Sequence, residues 1–238
     1  MQNFFLSTAI VGLCFLPPHL EAQTQKTGLL KSEFIFETNP EPSCHATTIV
    51  EAKDGSLVAA WFAGTAEGKD DVSIWSARLS DGKWTAPVEV TNGVDGAGKR
   101  FPCWNPVLFQ PKEGPLLLFY KVGPSPSKWW GMLRTSDDQG KTWSSASKLP
   151  EGIYGPIKNK PVQLSDGAIL SGSSAEELNP PPSWQIHFER SNDNGATWSR
   201  ISVPQDPDSA PAIQPSILLL GAQKLMALGR TRTGRSEE

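Results

Sequence analysis

The chain has 238 residues, 38% of them hydrophobic and 20% charged, which is enough apolar content for a packed core and excludes wholesale disorder. A formal net charge of −3 leaves no electrostatic footprint for a nucleic-acid partner. The 21 Gly and 21 Pro are spread along the chain, a pattern of many short strands joined by turns rather than of long helices.

The first element is an apolar run at residues 4–16, followed by Pro17-Pro18 and Leu20-Glu21-Ala22. It is too short to span a bilayer and has the length of an export-signal core. No Lys or Arg precedes it, and Leu20 is larger than the usual small residue before a cleavage site. The reading is a signal peptide over residues 1–22 and a single domain over 23–238. The mature protein is then secreted or periplasmic, with no stable membrane insertion. Cys44 and Cys103 would be its two cysteines; an oxidising compartment permits a disulfide between them, and the sequence does not establish one.

Residues 30–37 alternate like a strand. From there two landmarks recur. The first is Cys44-His45-Ala46-Thr47-Thr48-Ile49-Val50-Glu51, an Asp54-Gly55 turn, and a strand at 57–62. It returns as Cys103-Trp104-Asn105-Pro106-Val107-Leu108-Phe109 with Glu113-Gly114, and as Lys158-Asn159-Lys160-Pro161-Val162-Gln163-Leu164 with Asp166-Gly167. A last copy, Ile213-Gln214-Pro215-Ser216-Ile217, leads to a strand at 224–228.

The second landmark is the pattern S-x-D-x-G-x-T-W. It is complete at residues 136–143 and 191–198 and shortened in Ser80-Asp81-Gly82-Lys83-Trp84. Trp84, Trp143 and Trp198 thus mark a repeat of about 55 to 59 residues. In each copy the Asp carboxylate can accept N–H bonds from its own turn, the Gly supplies a positive φ, and the Trp buries a large ring. Strand, turn, strand, loop, strand, turn, strand is a four-stranded antiparallel meander, and its repetition predicts a β-propeller. A β-sandwich would not repeat both landmarks.

The eight-residue turn resembles the Asp-box of sialidases. With CHATTIVE, WFAGTAEGKDDVSIW, CWNPVLFQ, GPIKNKPVQLSDG and ALGRTR, it makes the chain similar to the sialidase-like superfamily of BNR-repeat glycosidases over about residues 33–235. The resemblance implies an all-β, six-bladed sialidase-like propeller. About three and a half blades are expected here, the C-terminal ones being absent. The strand at 30–37 is the one that closes the last blade of such a ring.

Sialidases hold a substrate carboxylate with three Arg, protonate with an Asp, and attack with a Tyr that a Glu activates. Tyr is a departure from the usual pair of catalytic carboxylates. By the resemblance, the first Arg position falls at His45, the acid/base at Asp71 or Asp70, the Glu at Gln214, and the second Arg at Arg230. The third Arg and the Tyr belong to blades beyond these. The substrate-binding set is expected to be Arg230, Lys158, Asn159, Lys160, Asn105, Gln214 and Trp104, with Lys158 and Lys160 on one face of a first strand. Arg100, Lys121 and Arg232 are candidates for further charge at the same mouth. Cationic donors suit an acidic glycan carrying sialic acid or uronate. His187 is read as a packing residue, Trp129 and Trp130 as candidate stacking rings, and Glu67 and Glu176 as minor loop carboxylates.

The leading function is glycoside hydrolysis, with Asp71 as acid/base. Two alternatives stand beside it: a polysaccharide lyase with His45 as base, and a non-catalytic glycan-binding propeller or inactive fragment. No metal-ligand spacing or nucleotide fingerprint is present, and no cofactor is expected.

Overall fold

The computed structural model describes residues 31–177, 183–204, 210–221 and 224–231. The chain divides into a unit at Met1–Phe34 and a unit at Ile35–Glu238, and every described strand lies in the second. The predicted signal peptide and Arg232 fall outside the described residues.

Four antiparallel sheets follow one another along the chain. Blade 1 comprises β1 (Ser43–Glu51), β2 (Leu57–Gly64) and β3 (Ser73–Ser80), with β4 (Lys83–Trp84) and β5 (Val88–Thr91) both pairing with β3. Blade 2 is β6 (Cys103–Phe109), β7 (Leu116–Val122), β8 (Trp130–Ser136) and β9 (Ser147–Lys148), in that order. Blade 3 is β10 (Val162–Gln163), β11 (Ile169–Glu177), β12 (Ser183–Ser191) and β13 (Ser199–Ser202). Blade 4 is represented by the hairpin β14 (Ala212–Gly221) and β15 (Lys224–Thr231), along which Leu219 and Leu228 are 50% and 58% exposed.

Second strands carry the core because neighbouring sheets cover both of their faces. The seven residues of β7 are all buried. Its even-numbered side chains Leu116, Leu118, Tyr120 and Val122 pack with Val58, Ala60, Phe62 and Ile74 of blade 1. Its odd-numbered Leu117 and Phe119 pack with Leu149, Ile153 and Ile169 toward blade 3. One alternating strand therefore builds two inter-blade cores. Each fully buried Leu or Phe contributes about 1.5–3 kcal/mol.

The Asp-boxes fold as their sequence dictates. Asp138 accepts from Ser136 Oγ and from the Thr142 amide, each at 2.8 Å, and Asp193 repeats both contacts with Ser191 and Thr197 at the same distances. The central pairs Gln139-Gly140, Asn194-Gly195 and Asp81-Gly82 all have positive φ, the turn that matches strand twist. A Cβ on Gly140 would lie 3.1 Å from both Val58 methyls, so this glycine also lets the box approach blade 1 closely. Trp143 packs on the blade 1–2 core and Trp198 on the blade 2–3 core, where it meets Phe119 edge-on at 5.7 Å. Each of these two Trp seals its blade against the preceding one.

Two expectations need correction. Residues 31–37 form no strand; Ile35 and Phe36 instead pack on the apolar face of blade 1, with Phe36 5.3 Å from Trp61. Alternation supplies two faces, but a strand also needs a hydrogen-bonding edge beside it. The second concerns residues 157–161, which form no strand: the chain bends at 157–159, and β10 begins only at Val162. The alternation argument joining Lys158 to Lys160 therefore fails.

Candidate active-site cavity

Three first strands carry the same irregularity near their starts. The register of β1 shifts between His45 and Thr48, that of β6 between Trp104 and Val107, and that of β14 between Ile213 and Ser216. Within these bulges Ala46, Asn105 and Gln214 hold positive φ of 56°, 38° and 54°. A bulge adds one residue and re-aims its neighbours, and a non-glycine residue there costs about 1 kcal/mol. The repeated device turns the strand starts toward one place.

That place is a cavity of about 210 Å³. First strands and their approaches supply His45, Asn105, Lys158 and Gln214 to its lining. Loops and ends of second strands supply Glu67, Trp129, Glu176 and Arg230. Trp104 forms part of the wall, only 7% exposed, with its indole N–H donating to the Gly123 carbonyl at 2.8 Å. Trp104 also meets Trp129 at 6.0 Å and Phe62 at 6.4 Å, both edge-on. Gly68 (φ +81°) lies against its ring, so the loop bearing Glu67 rests on Trp104. Arg230 stacks over Trp184 at 5.8 Å, and the His45 ring lies 5.6 Å from Phe62.

Six of the ten residues singled out from the sequence therefore share one lining: His45, Trp104, Asn105, Lys158, Gln214 and Arg230. Asn159, Lys160, Asp70 and Asp71 do not contribute to it. Asn159 acts as a strut, its side-chain amide donating to the Gln214 carbonyl at 2.7 Å. Asp71 closes its own loop by accepting from the Thr65 hydroxyl and, at 2.9 Å, from the Thr65 amide. Those donors stabilise the charged form and hold the Asp71 carboxyl below the usual carboxylate range. Arg100 braces the same loop through the Asp71 carbonyl at 2.8 Å and the Ser73 hydroxyl at 2.9 Å.

Lys121 corrects the reading of it as a mouth residue. It is fully buried between blades 2 and 3, where its ammonium donates to the Pro156 carbonyl. Among the described residues Cys44 and Cys103 are both free, and burial pushes the Cys103 thiol up to about 12. Glu67 and Glu176, minor candidates by sequence, are the carboxylates that reach the cavity. The signal available beforehand was their place at the end of a second strand (Glu176, inside β11 rather than in a loop) or just after one (Glu67). The third-strand arginines Arg78 and Arg190 went unread as a pair. They occupy one register, opposite Val58 and Leu170, whereas Arg134, opposite Leu118, lies on the other face of its blade. Arg78 pairs with Asp54 and Arg190 with Asp166, so they brace the first hairpin turn of blades 1 and 3.

Residues 55–237 match the BNR repeat-like domain. The chain belongs to the BNR repeat-like domain family. Among curated proteins, none matches the sequence. Solved structures share its fold. A protein of unknown function from Dyadobacter fermentans superposes with a TM-score of 0.65 at 19% identity, over 80% of this chain and 62% of that one. The NanB sialidase of Streptococcus pneumoniae gives 0.63 at 13% identity, over 85% and 50%. An α-L-arabinofuranosidase of Fusarium graminearum gives 0.54 at 15% identity, over 74% and 53%. The fold of this BNR-repeat chain is thus a sialidase-like β-propeller of four-stranded antiparallel blades, and the chain spans 62% or less of each of these relatives. The same fold serves sialidases and an arabinofuranosidase, so the substrate must be argued from the cavity.

Proposed function

We propose that the cavity binds an acidic sugar of a glycan, sialic acid or a uronate, and belongs to a glycoside-cleaving propeller. The observation that carries this reading is the convergence of Lys158 and Arg230 with His45, Asn105 and Gln214 on one lining. Two cationic groups match a sugar carboxylate, and the neutral donors match hydroxyls. Trp104 and Trp129 give the apolar wall that sugar rings require.

Proton donation falls to the loop between β2 and β3. A general acid must hold its proton near the working pH, and the Thr65 bonds favour the ionised form of Asp71. Glu67 lies on the same loop and reaches the cavity. We therefore assign Glu67 as the group facing the glycosidic oxygen and Asp71 as the residue that fixes the loop's shape. Glu67→Gln should then abolish cleavage of an acidic oligosaccharide while sparing its binding, and Asp71→Asn should lower stability and turnover together. If Asp71→Asn alone removes turnover in a stably folded protein, the roles are reversed. Products carrying an unsaturated, ultraviolet-absorbing uronate would instead make His45 the base of an eliminase.

A further inference from the structure

Around residues 154–156, just before Lys158, lies a buried charged cluster that the proposed chemistry does not use. Glu189 on β12 is inaccessible to solvent, and its two oxygens accept the Tyr154 amide at 2.9 Å and the Gly155 amide at 2.7 Å. His187, 1% exposed, hydrogen-bonds the same carboxylate at 2.9 Å. Lys121 of β7, inaccessible as well, donates to the carbonyl of Pro156. Three successive residues, 154 to 156, each have a backbone group held by a buried ionisable side chain.

Only part of this pattern recurs in the other blades. Two residues before the Asp-box serine, Glu189 corresponds to Arg134 in blade 2, and by its pairing just before the first-strand bulge Lys121 corresponds to Phe62 in blade 1 and to Arg230 in blade 4. Burying a lysine and a glutamate costs several kcal/mol each before their mutual attraction is counted, so apolar side chains are the easier filling. The charges therefore serve a local need. Residues 154–159 lie in no sheet, and their backbone groups have no ladder to join. Blade 3 also lacks the bulged first strand that aims the cavity residues of blades 1, 2 and 4. Past the clamp, the Ile157 amide reaches the Gly172 carbonyl, Lys158 enters the cavity lining, and Asn159 ties to the bulge of β14.

We propose that Glu189 and Lys121 are positioning residues: they lock the backbone of residues 154–156 and so deliver Lys158 to the cavity. This rests on the reading of Lys158 as a carboxylate-binding group, and the test keeps the two apart. In the full chain carrying Glu189→Gln, hydrogen exchange should quicken about tenfold or more at the Tyr154 and Gly155 amides, while ladder amides at Leu170 and Phe188 keep their protection. Glucuronic acid should bind roughly tenfold more weakly, methyl glucoside should bind as before, and adding Lys158→Ala should cause no further loss. Lys121→Met is the second variant, should Glu189→Gln not fold, with the same pattern expected at smaller amplitude. Unchanged exchange at residues 154 and 155, or losses that add to those of Lys158→Ala, overturns the proposal. Failure of the native chain to bind glucuronic acid would remove the carboxylate reading, and the exchange rates would still decide the clamp.

Discussion

The two ends of the blades are built on opposite principles. At the Asp-box end the contacts that shape each turn are local: Ser136, Asp138, Gly140 and Thr142 satisfy one another within a single turn, and blade 3 repeats the arrangement with Ser191, Asp193, Gly195 and Thr197. At the cavity end the lining comes from blades 1 to 4, and the segment just before Lys158 is held at Tyr154 and Pro156 by side chains of two different blades. Local turns can be strong without being functional, while a site assembled from distant residues must be held by packing and strain. The two ends should therefore fail differently under mutation: one in stability, the other in recognition.

Asp138→Ala should show the largest effect. It strips acceptors from the Ser136 hydroxyl and the Thr142 amide, and we expect a loss of about 2–3 kcal/mol in denaturant unfolding with unchanged sugar affinity. The clamp gives a pH signature of its own. Burial lowers the Lys121 ammonium from 10.5 to about 7, although Glu189 opposes the shift. Between those limits the unfolded chain binds a proton that the folded one does not, so stability should rise with pH across this window, and Lys121→Met should flatten the rise. Lys158→Ala is next: stability within about 0.5 kcal/mol of the native chain, but roughly tenfold weaker binding of carboxylate sugars. The smallest effect is at acid pH. Its Thr142 hydrogen bonds lower the Asp138 carboxyl from 3.8 to about 2, so the stability it contributes is present above 3.8 and lost as pH falls toward 2; Asp138→Asn should blunt that acid limb.

The same contrast explains what the sequence made legible. The boxes could be read because their determinants lie within eight residues, and the repeated first-strand landmarks because bulge and strand travel together. His45, Asn105, Gln214 and Arg230 could be placed together for that reason. Glu67 was undervalued because a carboxylate beside Asp70 and Asp71 looks like loop solvation until the hydrogen bonds of Asp71 to Thr65 are seen. Lys121 and Glu189 were illegible: each sits in an ordinary alternating strand, and their common target at residues 154–156 belongs to neither. The strand expected at residues 30–37 shows the converse error, a local pattern taken for a pairing that it cannot supply alone.

The most direct test of the account is a titration of the native chain with glucuronic acid and with its methyl ester, followed by the fluorescence of the cavity tryptophans. The ester keeps the ring and hydroxyls and removes only the charge. If Lys158 and Arg230 form a carboxylate subsite, the acid should bind at least about tenfold more tightly than the ester, and Lys158→Ala should erase most of the difference. Equal affinity for acid and ester would contradict the account.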